Sequence, residues 1–210
     1  MTSNSKEYWE SYYRQNPNPS GESPFARFVS GFLNEGDSLY ELGCGNGRDS
    51  VFFGKKGVRV HAFDQCEEEL AYLTAQNSLS NVHFEAGDFT NLGPKSRVDF
   101  IYSRFTLHSV TEDKEIDTLR WSFDALNENG LVFIEIRSIL DELYGQGEKV
   151  GKNEFVTSHY RRFVALNSFV SRIEEAGFSI VYKLESKGLA PHGDDDPIVI
   201  RVVAKRAERN

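Results

Sequence analysis

Cysteine is scarce in this chain. Cys44 and Cys66 are the only two among 210 residues. Their spacing matches no zinc-binding pattern, and two unpatterned thiols make no disulfide framework. They suit a reducing, cytoplasmic setting. Long apolar runs are also missing. No stretch reaches the roughly 20 residues that a bilayer-spanning helix needs. The first residues, Met1 to Lys6, are polar and lack the apolar centre of a secretory signal. A membrane is therefore not an expected partner. Positive charge is in deficit, with 24 Lys and Arg against 32 Asp and Glu and a formal net charge of −8. A surface of that sign repels phosphate backbones, so nucleic acid is not expected either. No internal repeat and no long low-complexity segment is present.

What the chain does have is an ordinary globular balance, 39% hydrophobic and 27% charged residues, at a length that suits one domain, 1–210, with a sizeable core. An aromatic helix is expected over 6–14 and a second over 25–33. Between them runs the loop-forming Asn16-Pro17-Asn18-Pro19-Ser20-Gly21. Residues 1–35 thus read as an N-terminal helical cap. Strands are then expected at 38–42, 58–63, 82–85, 98–102 and 131–136. Helices alternate with them at 47–56, 67–78, 113–126 and 166–176, with Asn129-Gly130 as a glycine stop for the third. Residues 178–185 and 198–204 form a closing antiparallel pair. Strand–helix alternation with short turns implies an α/β fold with a mostly parallel, doubly wound sheet of seven strands. Residues 138–162 interrupt the pattern. They are polar, glycine-bearing and without a period. Following the fifth strand, they belong at the carboxyl edge of the sheet, where such folds bind ligands.

The first strand runs into Glu41-Leu42-Gly43-Cys44-Gly45-Asn46-Gly47. Glycines on a strand-to-helix turn allow a sharp bend and a close ligand, and the helix start offers free N–H groups. A dinucleotide site wants Gly-x-Gly-x-x-Gly with a pyrophosphate on the helix. Here the spacing is Gly-x-Gly-x-Gly, and Glu41 precedes it by two residues. A carboxylate there opposes a pyrophosphate and suits a cationic amine.

This Glu-x-Gly-Cys-Gly-x-Gly segment resembles motif I of the class I methyltransferases. The resemblance covers about 36–137 and, more loosely, the C-terminal hairpin. It implies a Rossmann-like fold and S-adenosyl-L-methionine as cofactor, with S-adenosyl-L-homocysteine as product. Glu41, Gly43, Cys44, Gly45, Asn46 and Gly47 would then form the cofactor loop. Asp64, with Gln65 beside it, ends the second strand where the family places an acid on the ribose hydroxyls. Asp88 and Phe89 follow the third strand, where the family contacts adenine. Ser103 follows the fourth strand, where the transfer site opens. The stretch Gly45-Asn46-Gly47-Arg48-Asp49-Ser50 is also similar to tellurite-resistance and thiopurine methyltransferases, which act on small molecules.

On the acceptor side, cations gather: Arg104 and His108 after strand four, Arg137 after strand five, and His159, Tyr160, Arg161 and Arg162 at the end of the insertion. Guanidinium forks fit carboxylate, phosphate or phosphonate. Arg104, His108, Arg137, Tyr160, Arg161 and Arg162 are the candidate substrate contacts. His108 is the first candidate for a base, His159 the second, and Arg104 completes the catalytic set. An acceptor already ionised needs only orientation. Tyr8, Trp9, Tyr12 and Tyr13 share one helical face, so the first helix is a candidate lid, with Tyr13 as a cofactor contact. His192 and Arg201 lie farther along. Asp194, Asp195 and Asp196 read as a solvated turn that pairs with nearby arginines, and no metal is expected. The acceptor is expected to be a small anionic metabolite, and the protein a monomer or homodimer. Two other readings compete: a nicotinamide-dependent dehydrogenase, and a cofactor-binding regulatory module without chemistry.

Overall fold

The computed structural model describes residues 3–15 and 21–207. The loop expected over 16–21 falls outside them except for Gly21. In chain order the elements are α1 (Ser3–Gln15), α2 (Pro24–Val29), β1 (Ser38–Leu42), α3 (Arg48–Lys55), β2 (Arg59–Asp64), α4 (Glu67–Gln76), β3 (Val82–Ala86), β4 (Val98–Arg104), α5 (Glu112–Ala125), β5 (Leu126–Arg137), β6 (Glu148–Gly151), β7 (Glu154–Val156), β8 (Tyr160–Arg162), α6 (Leu166–Glu175), β9 (Phe178–Ser186) and β10 (Val199–Arg206).

Seven strands form one sheet in the order β3-β2-β1-β4-β5-β10-β9. All its pairs are parallel except those of β10 with β5 and β9, which are antiparallel. This is the Rossmann-like doubly wound sheet with its antiparallel C-terminal hairpin. Side-chain alternation along the strands builds the two core layers. Tyr40, Leu42, Ile101, Val132 and Ile134 face α5 and α6. Leu39, Tyr102 and Phe133 face α2, α3 and α4. The order of strands reverses between β1 and β4, and their carboxyl ends open the crevice that holds the site. No helix among the described residues is long and apolar enough to cross a membrane.

Two local expectations change. Residues 138–162 are not structureless: β6, β7 and β8 make a separate antiparallel sheet. Its strands are three or four residues long, and a register shift falls between Lys149 and Gly151. Alternation over so few residues leaves no readable period. Tyr144, Phe155 and Phe163 pack together beneath it, with ring centroids 5.3–6.0 Å apart. The second change concerns Asn129-Gly130, which does not cap α5. That helix ends at Ala125 and the chain passes directly into β5. Asn129, not Gly130, adopts the left-handed backbone, at φ 64°. Glycine is needed at 130 because a Cβ would come within 2.9 Å of the Asp99 carbonyl oxygen.

Candidate functional site

The β1–α3 turn is left-handed at all three glycines: φ is 72° at Gly43, 54° at Gly45 and 68° at Gly47. These glycines also serve close packing within the protein. A Cβ on Gly43 would strike Thr106, and one on Gly45 would lie 2.5 Å from the Tyr13 hydroxyl. On Gly47 it would press on Leu73 and Phe84. The glycines thus let α1, the β4–α5 segment and α4 converge on one loop, which β2 ties down through Gly43 and Cys44 N–H bonds to the Phe63 carbonyl.

Below this loop lie two buried acids. Glu41 is 4% exposed and accepts a 2.5 Å hydrogen bond from Ser50 Oγ. Asp49, in the first turn of α3, accepts from Ser23 N, Ser23 Oγ and Tyr102 Oη, each at 2.7 Å. Ser23 also caps α2 through Ala26 N. Burial, reinforced by the charge of Asp49, pushes the Glu41 carboxyl well above its ordinary range. A buried acid with one hydroxyl donor is a site that awaits a cation. The positive end of α3 is already matched by Asp49. An incoming pyrophosphate would meet two carboxylates there, which counts against the dehydrogenase reading.

At the end of β2, Asp64 accepts from Gly45 N at 2.9 Å and Cys66 N at 3.0 Å. Gln65 lines the same cavity, and its amide nitrogen is buried without a hydrogen-bond partner. Phe89 is 2% exposed and forms part of the wall. Asp88 is spent locally: its Oδ1 accepts from Thr90 N and Thr90 Oγ1 at 2.9 and 2.8 Å, an Asx turn. Tyr13 is only partly exposed, and desolvation, followed by the charge of Asp64, holds its hydroxyl well above its usual pKa.

The acceptor end is built at the carboxyl edges of β4 and β5. Arg104 reaches the cavity wall and bonds Glu135 Oε1 through Nε at 3.1 Å. The other oxygen of Glu135 takes Arg201 Nε at 2.6 Å. Arg137 donates from Nη1 to both oxygens of Asp141 at 3.0 and 3.1 Å and from Nη2 to Asp195 at 2.5 Å. Between the two arginines stands Phe105, in a left-handed backbone of φ 56°. Its ring lies 4.5 Å from the Arg104 guanidinium and 5.6 Å from that of Arg137. A bulky residue held in that region stores strain, and such strain clusters at functional sites. Ser103 bonds Thr106 and is 1% exposed. Ser109, 6% exposed on the cavity wall, has an unpartnered hydroxyl.

The remaining candidates sit behind this wall rather than in it. His108 is 4% exposed, with an unpartnered Nδ1 and its ring 5.4 Å from Phe105. Burial, then Arg137 and Arg161, drives its pKa well down. His159 packs against Tyr8 and Trp9 in tilted contacts, with ring centroids 4.3 and 5.0 Å away, and burial lowers its pKa to about 4. Tyr160 and Arg161 lie on β8, where Arg161 bonds Thr157 Oγ1 at 2.8 Å. Arg162 points into the protein: it bonds the Val110 and Leu107 carbonyls and Glu115, which Arg172 also holds. Its guanidinium is consumed in bracing β8 against α5.

One cavity of about 370 Å³ joins the two ends, from Glu41, Asp64 and Gln65 to Arg104, Ser109 and Arg137. Trp9, Tyr12 and Tyr13 of α1 form its roof. The nucleotide end fits S-adenosylmethionine: an uncompensated acid for an amine, an acid at a strand end for hydroxyls, and an orphaned buried amide at Gln65. The continuation past Phe105 leaves room for an acceptor, which a purely regulatory cofactor module does not need.

A family model described as "Methyltransferase domain" matches residues 15–183. The chain belongs to this family. It is an S-adenosylmethionine-dependent methyltransferase of the class I type. No curated protein sequence is significantly similar to it. Among solved structures, the methyltransferase superposes on 1,6-didemethyltoxoflavin-N1-methyltransferase of Burkholderia thailandensis at a TM-score of 0.70 and 19% identity, covering 88% of this chain and 77% of that one. That structure holds 1,6-didemethyltoxoflavin and S-adenosylhomocysteine. A TehB-like SAM-dependent methyltransferase of Corynebacterium glutamicum gives 0.69 at 18% identity, covering 99% and 100%. A SAM-dependent methyltransferase of Methanosarcina mazei gives 0.75 at 16%, covering 87% and 98%. These likenesses establish the fold.

Sequence reasoning overlooked several residues of this methyltransferase's cavity. Asp49 was visible as an acid in the first turn of a helix, a recognisable position. Phe105 and Thr106 directly follow the flagged Arg104, so the strand end itself pointed to them. Ala190 gave no signal; it reaches the cavity only because β10 runs antiparallel and brings the preceding loop back over β5.

Proposed function

We propose that this methyltransferase transfers its methyl group to a small acceptor that carries an anionic group and arrives ionised. The observation that carries the reading is the sharing of Glu135. One carboxylate answers two guanidinia, Arg104 and Arg201. The other contact of Arg201 is a neutral one, the Leu189 carbonyl at 2.5 Å. Within this trio one positive charge is left over, and Arg104 presents it to the cavity.

In this reading Glu41 holds the amine of the cofactor, the Gly43–Gly47 backbone its amino-acid portion, Asp64 the ribose hydroxyls, and Gln65 and Phe89 the nucleoside base. Asp88, taken up by its bonds to Thr90, braces the loop that carries Phe89. S-adenosylmethionine, when bound, supplies a methyl group on a sulfonium for in-line displacement. The protein's part is positioning and exclusion of water. Arg104 and Arg137 orient the anion, Phe105 fixes the spacing of the two guanidinia, and Ser109 offers a hydroxyl to the acceptor. Trp9, Tyr12 and Tyr13 close the roof, with aromatic faces suited to a cation. His108 and His159 stay neutral at pH 7, because burial and neighbouring arginines oppose their protonation. A base with a pKa of about 4 takes up a proton poorly near neutrality, which is why an acceptor that is already ionised fits best.

The test is a methylation screen with paired acceptors, each carboxylate or phosphate matched to its neutral amide or ester. The expected result is turnover confined to the anionic member, with Arg104→Met raising KM for it about tenfold or more while S-adenosylhomocysteine affinity stays unchanged. Preference for neutral members would overturn the proposal.

A further inference from the structure

Arg137 is held by two carboxylates of very different standing. Asp141 grips it with both oxygens, its side chain is 2% exposed, and its Oδ2 also receives Ile198 N at 2.9 Å. This acid is part of the frame. Asp195 makes a single contact at 2.5 Å, and its side chain is 50% exposed. It sits on a tight turn closed by His192 N to Asp195 O at 2.7 Å and Asp195 N to His192 O at 3.0 Å. The turn lies in the β9–β10 connection, and both His192 and Asp195 line the cavity. Only the tip leans on Arg137. The base of the connection is fastened separately, through Gly188 N to Asp196 Oδ1 at 2.9 Å.

We propose that Asp195 is an internal stand-in for the acceptor's anionic group: it occupies the outer face of Arg137 in the absence of acceptor and yields it when an acceptor carboxylate enters. The inference rests on the anionic-acceptor reading and adds the residue that sets its threshold. Asp195 is half-exposed and can return to water when its contact breaks, whereas Asp141 is buried and its contact with Arg137 is costly to break. Arg137 therefore keeps its orientation when Asp195 leaves. What Asp195 vacates is a hydrogen-bonding position on the Arg137 Nη2, and a carboxylate like its own is the chemistry that fits. Asp195 then sets specificity by competition: a neutral molecule gains nothing by displacing it, while an anion replaces it charge for charge.

The experiment is calorimetric titration of the protein, saturated with S-adenosylhomocysteine, with benzoate, with benzamide as its neutral counterpart, and with inorganic phosphate. Wild type is compared with Asp195→Asn and Asp195→Ala. Both exposed-site variants are expected to bind benzoate about fivefold more tightly, the equivalent of ~1 kcal/mol, and to bind benzamide as wild type does. Benzoate binding that both variants leave unchanged or weaken overturns the role of Asp195 while the anionic-acceptor reading stands. Equal tightening for benzamide overturns it too, since that would be a gain of space and not of charge. If neither benzoate nor phosphate binds any form at tens of millimolar, the anionic reading fails and this inference fails with it.

Discussion

Replacing Glu41 by Gln should move stability and cofactor affinity in opposite directions. The side chain is 4% exposed, with Ser50 Oγ as its hydrogen-bond donor. Its folded-state pKa lies well above the ordinary carboxyl value, first through burial and then through Asp49. The folded protein therefore holds a proton that the unfolded chain releases. This contribution to stability is complete below the ordinary carboxyl range and is lost as pH rises through the raised folded-state value. At neutral pH the cofactor-free protein bears the cost, and a neutral Gln, still able to accept from Ser50, removes it. Glu41→Gln should thus raise the melting temperature of cofactor-free protein at pH 7 and lose that advantage near pH 4. Affinity should fall. A hydrogen bond between charged partners contributes about 1.5–3 kcal/mol, so S-adenosylhomocysteine should bind roughly 10- to 100-fold more weakly. Wild-type affinity should also rise with pH through the raised Glu41 value, because the bound amine favours the ionised acid, and the variant should lose this dependence. Thermal denaturation and calorimetry across pH measure both halves. A lower melting temperature at pH 7 combined with unchanged affinity would refute the reasoning.

Gly45→Ala should cost about 1–2 kcal/mol for its left-handed backbone, and it should also push the Tyr13 hydroxyl off the loop. Faster proteolysis within α1 and weaker cofactor binding are expected, with Tyr13→Phe easing both in part; wild-type behaviour of Gly45→Ala would contradict the packing. Arg162→Met should destabilise by about 3–5 kcal/mol, as removal of one partner from a buried ion network does, while leaving S-adenosylhomocysteine affinity intact. Adding Glu115→Gln should recover part of that loss in denaturant melts, and further loss in the double variant would count against the network.

The strand order and the cofactor loop were legible because their signals are local. Buried parallel strands write themselves as apolar runs, such as Leu131 to Ile134. A loop that must turn left-handed three times in five residues writes itself as Gly43, Gly45 and Gly47. The acceptor end was less legible, because its chemistry depends on pairing across the sheet. Arg104, Arg137, Arg162 and Arg201 look alike in sequence. Only the fold shows that Arg162 is committed to Glu115, that Arg201 shares Glu135 with Arg104, and that Arg137 is divided between Asp141 and Asp195. Likewise, His108 carries no sequence mark of its cationic surroundings, since Arg137 and Arg161 come from strands farther along the chain. The short strands β6, β7 and β8 fell below the length at which alternation can be counted.

The first helix touches both halves of the site. Tyr13 rests against Gly45 at one end, and Tyr8 and Trp9 pack on His159 of the insertion at the other. A single helix of thirteen residues thus touches both ends of the site. Its packing therefore ties the geometry of one compartment to that of the other. A change at Tyr13 would then be felt at His159, and a change at His159 would be felt at the cofactor loop.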